Sequence, residues 1–115
     1  MIDPTDLARR VAEIASDALA TDILVLDIRE HTTIADCFVI ASADNTRQLR
    51  AMGESIAREL REEGVRPQRR EGVAETGWLV IDYSSVIVHL FTEEQRSHYR
   101  LEELWVDAQR LLVIQ

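Results

Sequence analysis

The run from Gly77 to Phe91, GWLVIDYSSVIVHLF, constrains the fold of this chain more than any other stretch. Two apolar segments rich in Val and Ile meet at Asp82-Tyr83-Ser84-Ser85, whose short polar side chains favour a tight turn, so a β-hairpin is expected. Alternation puts Leu79, Ile81 and Tyr83 on one face of the first strand, and Trp78, Val80 and Asp82 on the other. On the second strand Val86, Val88 and Leu90 form an aliphatic set, while Ile87, His89 and Phe91 form a mixed one. The aliphatic sets are expected to meet a layer of helices. Trp78, Asp82, His89 and Phe91 then mark a second face, a candidate docking surface because aromatic and polar groups mix there. The alternative is that this face is also covered and Trp78 belongs to the core.

The rest of the chain supplies what such a hairpin needs. Asp3 as N-cap, Pro4 at the first helical position and Asp6 in the first turn open a helix whose apolar stripe is Leu7, Val11, Ile14, Ala15, Ala18 and Leu19. Thr21-Asp22 breaks it. Ile23 to Ile28 is a nearly continuous apolar strand of the kind covered on both faces, and Asp36 to Ala41 is the next, with Cys37, Val39 and Ala41 opposed to Asp36, Phe38 and Ile40. Ser42 to Asn45 offers caps for a helix from Thr46 to Glu63, with Leu49, Met52, Ile56 and Leu60 inward and Gly64 closing it. Val65 to Thr76 is a connection with room for a short strand near Val65. After the hairpin, Thr92 caps a helical segment through Tyr99 or beyond, in which Leu101, Leu104 and Trp105 share a face and Trp105 is expected in the core. Arg96 with Glu102 or Glu103 is expected to form surface pairs. The apolar end, Leu111 to Gln115, either adds an edge strand or touches a partner. The order αββα, loop, ββα predicts an α+β domain: a mixed sheet with helices mainly on one face.

At 115 residues, 46% of them hydrophobic, the chain (1–115) has enough for one domain with a core of its own. Cys37, the single cysteine, sits in an apolar run and is expected as a buried thiol in a reducing, cytoplasmic setting. No apolar run approaches the length of a membrane span, and the start resembles no secretory leader. A net charge of −8 opposes primary contact with nucleic acid and suits a basic protein partner. Arg61, Arg66, Arg69 and Arg70 are a local exception, read as a solvated loop.

Chemistry finds little purchase. Neither glycine-rich phosphate loop occurs, and His31, His89 and His98 are scattered with no second Cys to complete a metal site, so no cofactor or metal is expected. Ser84 and Ser85 beside Asp82 and His89 are turn residues before they are nucleophiles. Asp36, Asp82 and His89 converge on the mixed face in the manner of an acid/base cluster, yet an open face bearing Trp and Phe fits an interface better than a water-excluding pocket.

Several stretches together resemble one family: DCFVIAS (36–42), Gln48, REG (70–72), Trp78 with Ile81-Asp82-Tyr83, Val88-His89 and RSHYRLEELWVDA (96–108). Through them the chain is similar to ribosomal silencing factor S, the Iojap-like family, over about Asp6 to Ala108. The resemblance implies a nucleotidyltransferase-like fold without established catalysis. It also implies a factor that binds the large ribosomal subunit through ribosomal protein L-fourteen and sterically blocks joining of the small subunit when nutrients are short. Trp78 matches the family tryptophan on the sheet surface that meets the ribosomal protein. Asp36, Asp82, Tyr83, His89 and Tyr99 match motif positions, and with Phe38, Arg70 and Phe91 they complete the expected partner-binding set. The family commonly has Tyr at Cys37 and Gly at Ala43 and Ser84, which puts the last two turns in question. The competing reading is a nucleotidyltransferase-like enzyme using Asp36 and Asp82 with a divalent ion, although Phe38 stands where a second carboxylate is wanted. A homodimer through the same sheet face is compatible with the docking reading.

Overall fold

The first helix, α1 (Pro4–Asp17), begins where the Asp3 carboxylate accepts the N–H groups of Thr5 and Asp6 at 3.0 and 3.2 Å. A computed structural model describes residues 2–115. The α1 stripe ends one residue earlier than expected: Leu19 takes a left-handed conformation (φ 69°), which turns its side chain to solvent. Strand β1 (Thr21–Asp27) starts at the pair expected to break the chain, because Thr21 joins the ladder opposite Ser42 and an irregularity at Asp22 (φ 49°) absorbs the turn. Strand β2 (Cys37–Ala43) is buried along its whole length. Helix α2 (Thr46–Glu62) follows, with the Asn45 side chain accepting the Gln48 N–H at 2.8 Å.

The strand expected near Val65 lies further on, as β3 (Arg69–Glu71). Val65 instead packs on the core, while the free edge of β4 (Trp78–Asp82) offers unpaired backbone groups that the three charged residues satisfy. Strand β5 (Val86–Thr92) completes the hairpin. Helix α3 (Glu93–Tyr99) stops because Arg100 turns left-handed (φ 49°), and residues Leu101–Trp105 continue as a 3-10 helix. The expected helical face is thereby lost. Leu104 is exposed, and Trp105 is partly buried against the second face of the sheet instead of entering the main core. The apolar tail forms β6 (Gln109–Ile114), an edge strand antiparallel to β1.

The six strands run in the order β3-β4-β5-β2-β1-β6, antiparallel except for the parallel β2/β5 pair at the centre. This is a single α+β domain with a mixed sheet. Helices α1 and α2 cover one face, where Val11, Ile14, Met52, Ile56 and Leu60 meet Val39, Ala41, Val88 and Leu90. A smaller cluster on the opposite face joins Leu24, Leu26, Phe38, Ile40 and Phe91 to Leu101, Trp105 and Ala108. That second cover lies over β1, β2 and β5 and meets β4 only at Trp78, leaving Val80 and Asp82 partly exposed.

Candidate functional site

The partly covered strip beside that cover is the site. Register sets Trp78 opposite Phe91 and Val80 opposite His89, and side chains two residues apart share a face, so the pair Trp78 and His89 are diagonal neighbours across β4 and β5. Their ring centroids lie 5.9 Å apart, and the indole N–H donates to His89 Nδ1 at 3.3 Å. A nitrogen that accepts cannot carry hydrogen, so the His89 proton resides on Nε2, which is buried without a hydrogen-bond partner. His89 is 8% exposed, and burial pushes its pKa down to about 4. The imidazole is neutral at physiological pH.

Around this pair the aromatics interlock. Trp78 stacks on Phe91 at 4.9 Å and meets Tyr99 at a tilt of 47° and 4.6 Å, while Phe38 and His89 pack edge to face at 4.7 Å and Phe38 and Trp105 at 5.2 Å. Tyr99 is 48% exposed, so the cluster runs from fully buried Phe91 to open water. Beside it opens a recess of about 520 Å³ with Phe38, Val80, Ile87 and His89 among its lining, and with Trp78 and Tyr99 on one side. Its polar rim is Arg69, Glu71 and Asp82. The Asp82 Oδ1 accepts the Ser84 N–H at 2.7 Å and so shapes the hairpin turn. Its Oδ2 is left a long 3.5 Å contact with Arg69 Nε, which also stands 3.6 Å from Glu71.

The cover is pinned by one side chain. Arg96 donates to the Ser42 hydroxyl at 2.9 Å, the Asp22 carbonyl at 2.7 Å and the Glu102 carboxylate at 2.8 Å. The Arg96–Glu102 pair is therefore largely buried, unlike the surface pair expected, because α3 lies against the end of β2.

Of the nine expected partner-binding residues, the recess gathers Phe38, Trp78, Asp82, His89 and Tyr99. Phe91 is sealed beneath Trp78 and Tyr99. The face was expected to be less covered, with full cover as the alternative; residues 101–108 fold back over part of it, and Phe38 and Phe91 are buried. Tyr83 lies on the helix side of the sheet, where burial pushes its phenol up to about 12. Arg70 pairs with Glu54 of α2 on that same side at 2.9 Å, since it sits opposite Ile81 in the ladder. Asp36 stands just before β2, where its N–H donates to the Ser85 carbonyl, and it does not line the recess. Sequence reasoning missed Arg69 and Glu71, which reach the face only through the β3/β4 pairing. Among the described residues no group of three or more His, Cys, Asp or Glu is placed to hold a metal ion, and no helix is long and apolar enough to cross a membrane.

A small mixed sheet backed by two helices, with a partly covered aromatic face, defines the class of protein, and comparison with known proteins gives it a family. Residues 2–114 match the model of the family described as "Ribosomal silencing factor during starvation". The ribosomal silencing factor of Bacillus subtilis is 36% identical over 97 residues, 84% of this chain and 82% of that protein. The chloroplastic Iojap protein of Arabidopsis thaliana is 32% identical over 90% of this chain, which matches 43% of that longer protein. A crystal structure of a Chromobacterium violaceum protein superposes with a TM-score of 0.87 at 27% identity, covering 97% of this chain and 92% of that one. The chain belongs to the ribosomal silencing factor family.

Proposed function

We infer that the protein docks on the large ribosomal subunit through ribosomal protein L-fourteen, using the Trp78–Tyr99 face, and blocks joining of the small subunit. Translation falls as a result when nutrients are short. The observation that carries this reading is the position of Trp78 and Tyr99: two aromatics in contact at the open edge of a sheet face in an acidic chain of this family. Aromatics that are half-buried and held by neighbours are the usual anchors of protein interfaces, because their area is gained with little further loss of side-chain freedom. A net charge of −8 favours encounter with a basic ribosomal protein. A mouse relative, 34% identical over 75% of this chain, is named for assembly of the mitochondrial ribosomal large subunit, which points to the same subunit.

Steric exclusion needs no catalytic group, no metal and no cofactor, and it places the protein in the cytoplasm with its target. Metal-dependent nucleotidyl transfer by Asp36 and Asp82 is the weaker reading, since only Asp82 faces the recess. Co-sedimentation with isolated subunits tests the proposal. The protein pellets with the large subunit and not the small one, and Tyr99→Ala, which removes an exposed ring, weakens the complex about thirtyfold for a loss of about 2 kcal/mol. Binding to the small subunit, or an unchanged affinity in folded Tyr99→Ala, contradicts it.

A further inference from the structure

The recess beside Trp78 has a polarity that a protein-docking face does not require. Its lining is apolar and aromatic: Phe38, Trp78, Val80, Ile87 and Tyr99. At its rim is the carboxylate of Asp82, partly buried, with one oxygen engaged in the hairpin turn and the other in only a 3.5 Å contact. Glu71 adds a second negative charge, and the one cation among the lining residues, Arg69, is largely exposed and at hydrogen-bond limits from both. A small anion meets two carboxylates against one guanidinium here. A small cation meets the reverse, with aromatic rings beside it whose faces attract positive charge. The volume of about 520 Å³ lies in the range of small-molecule sites, and a flat ring of six to ten atoms fits within it.

The geometry points to a binding site for a small planar aromatic cation or amino-substituted heteroaromatic ring, its plane against Val80, Ile87 and Trp78 and its amidine or amino edge on Asp82. Asp82 Oδ2 is the acceptor, because Oδ1 already holds the Ser84 N–H. An amidinium N–H can reach Oδ2 at ordinary hydrogen-bond length where Arg69 offers one long contact, so the ligand displaces the Arg69 side chain, and Arg69 acts as the competitor built into the rim. His89, itself among the lining residues, keeps the Trp78 ring in place through the 3.3 Å bond. The site stands on the recess alone and does not depend on how the protein meets the ribosome.

Benzamidine, benzoate and adenine are the probes, titrated into the full chain at pH 7.5 while backbone amide and indole N–H resonances are recorded. The site predicts saturable shifts for benzamidine centred on Trp78 Nε1–H, Val80, Asp82 and Ile87, weaker ones for adenine, and none for benzoate. Asp82→Asn retains the oxygen that caps the turn and weakens benzamidine at least tenfold. Arg69→Gln removes the competitor and strengthens it about threefold. Val80→Trp fills the recess and abolishes the shifts. Three results overturn the assignment: benzoate binding as well as benzamidine, shifts that do not saturate, or shifts that persist in folded Val80→Trp.

Discussion

Protonating His89 should unlock the aromatic face, and the effect is large enough to measure. In the folded protein the ring is neutral and buried, its pKa lowered to about 4, whereas in the unfolded chain it titrates near 6.5. Below pH 6.5 the unfolded chain takes up a proton that the folded chain refuses, so stability falls as pH drops from about 6.5 to about 4 and is unaffected by this group above that window. At 1.36 kcal/mol per pH unit the interval amounts to about 3 kcal/mol, a large share of the 5–15 kcal/mol typical of a domain. Protonation also turns Nδ1 from acceptor to donor, so the Trp78 indole loses its partner. The assay is urea unfolding of wild type and His89→Phe at intervals from pH 7.5 to 4.5, followed by circular dichroism. Phe keeps the ring against Phe38 but cannot titrate. The wild-type curve should fall relative to the variant by about 2 kcal/mol or more across the window, while carboxylate effects such as those at Asp27 and Glu63 cancel in the difference. Parallel curves would refute the burial argument.

Other consequences are simpler to state. Arg96→Ala removes three anchors at once and strands the buried Ser42 hydroxyl and the Glu102 carboxylate, so it should cost about 2–3 kcal/mol in chemical unfolding and raise hydrogen exchange in residues 93–108 first. Trp105→Ala uncovers the edge of Phe38 and should lower stability by about 2 kcal/mol, less than a full core truncation because Trp105 is only partly buried. Ser84 sits at φ 72°, so Ser84→Gly should raise stability by about 0.5 kcal/mol, relief of strain outweighing the entropy of glycine. Gly72→Ala places a Cβ 2.3 Å from the Trp78 carbonyl at φ 85° and should cost about 2 kcal/mol or more, read as a lowered melting midpoint.

The faces of the hairpin were legible because alternation is local: Ile81, Tyr83, Val86, Val88 and Leu90 all join the helix-side core, and Trp78, Ile87 and Phe91 all face the other way. The first two helices were legible for the same reason, their caps and stripes lying within a few turns of one another. What was not legible rests on pairing across distance. Arg69-Arg70-Glu71 carries no strand pattern, and becomes one only because β4 has a free edge beside it. That pairing sends Arg69 to the recess and Arg70 to Glu54 on the far side, which inverts the order in which the two arginines matter. The break at Arg100 is not signalled by Gly or Asn, so the spacing of Leu101, Leu104 and Trp105 mimicked a continuing helix. Ser84 is the instructive middle case. The resemblance put this turn in question, and the backbone takes the left-handed conformation that favours glycine, assisted by the Asp82 carboxylate on its N–H.

The measurement closest to the central claim is light scattering on mixing small and large ribosomal subunits at a magnesium concentration that favours their association. Large subunits preincubated with the protein should show a reduced amplitude of association that saturates with protein added, and Tyr99→Ala should shift the half-effect to about thirtyfold higher concentration. Preincubating the small subunit alone should bring no additional loss. Full association in the presence of bound protein would contradict the account, because it would show that a factor seated on the large subunit through this face does not stand in the way.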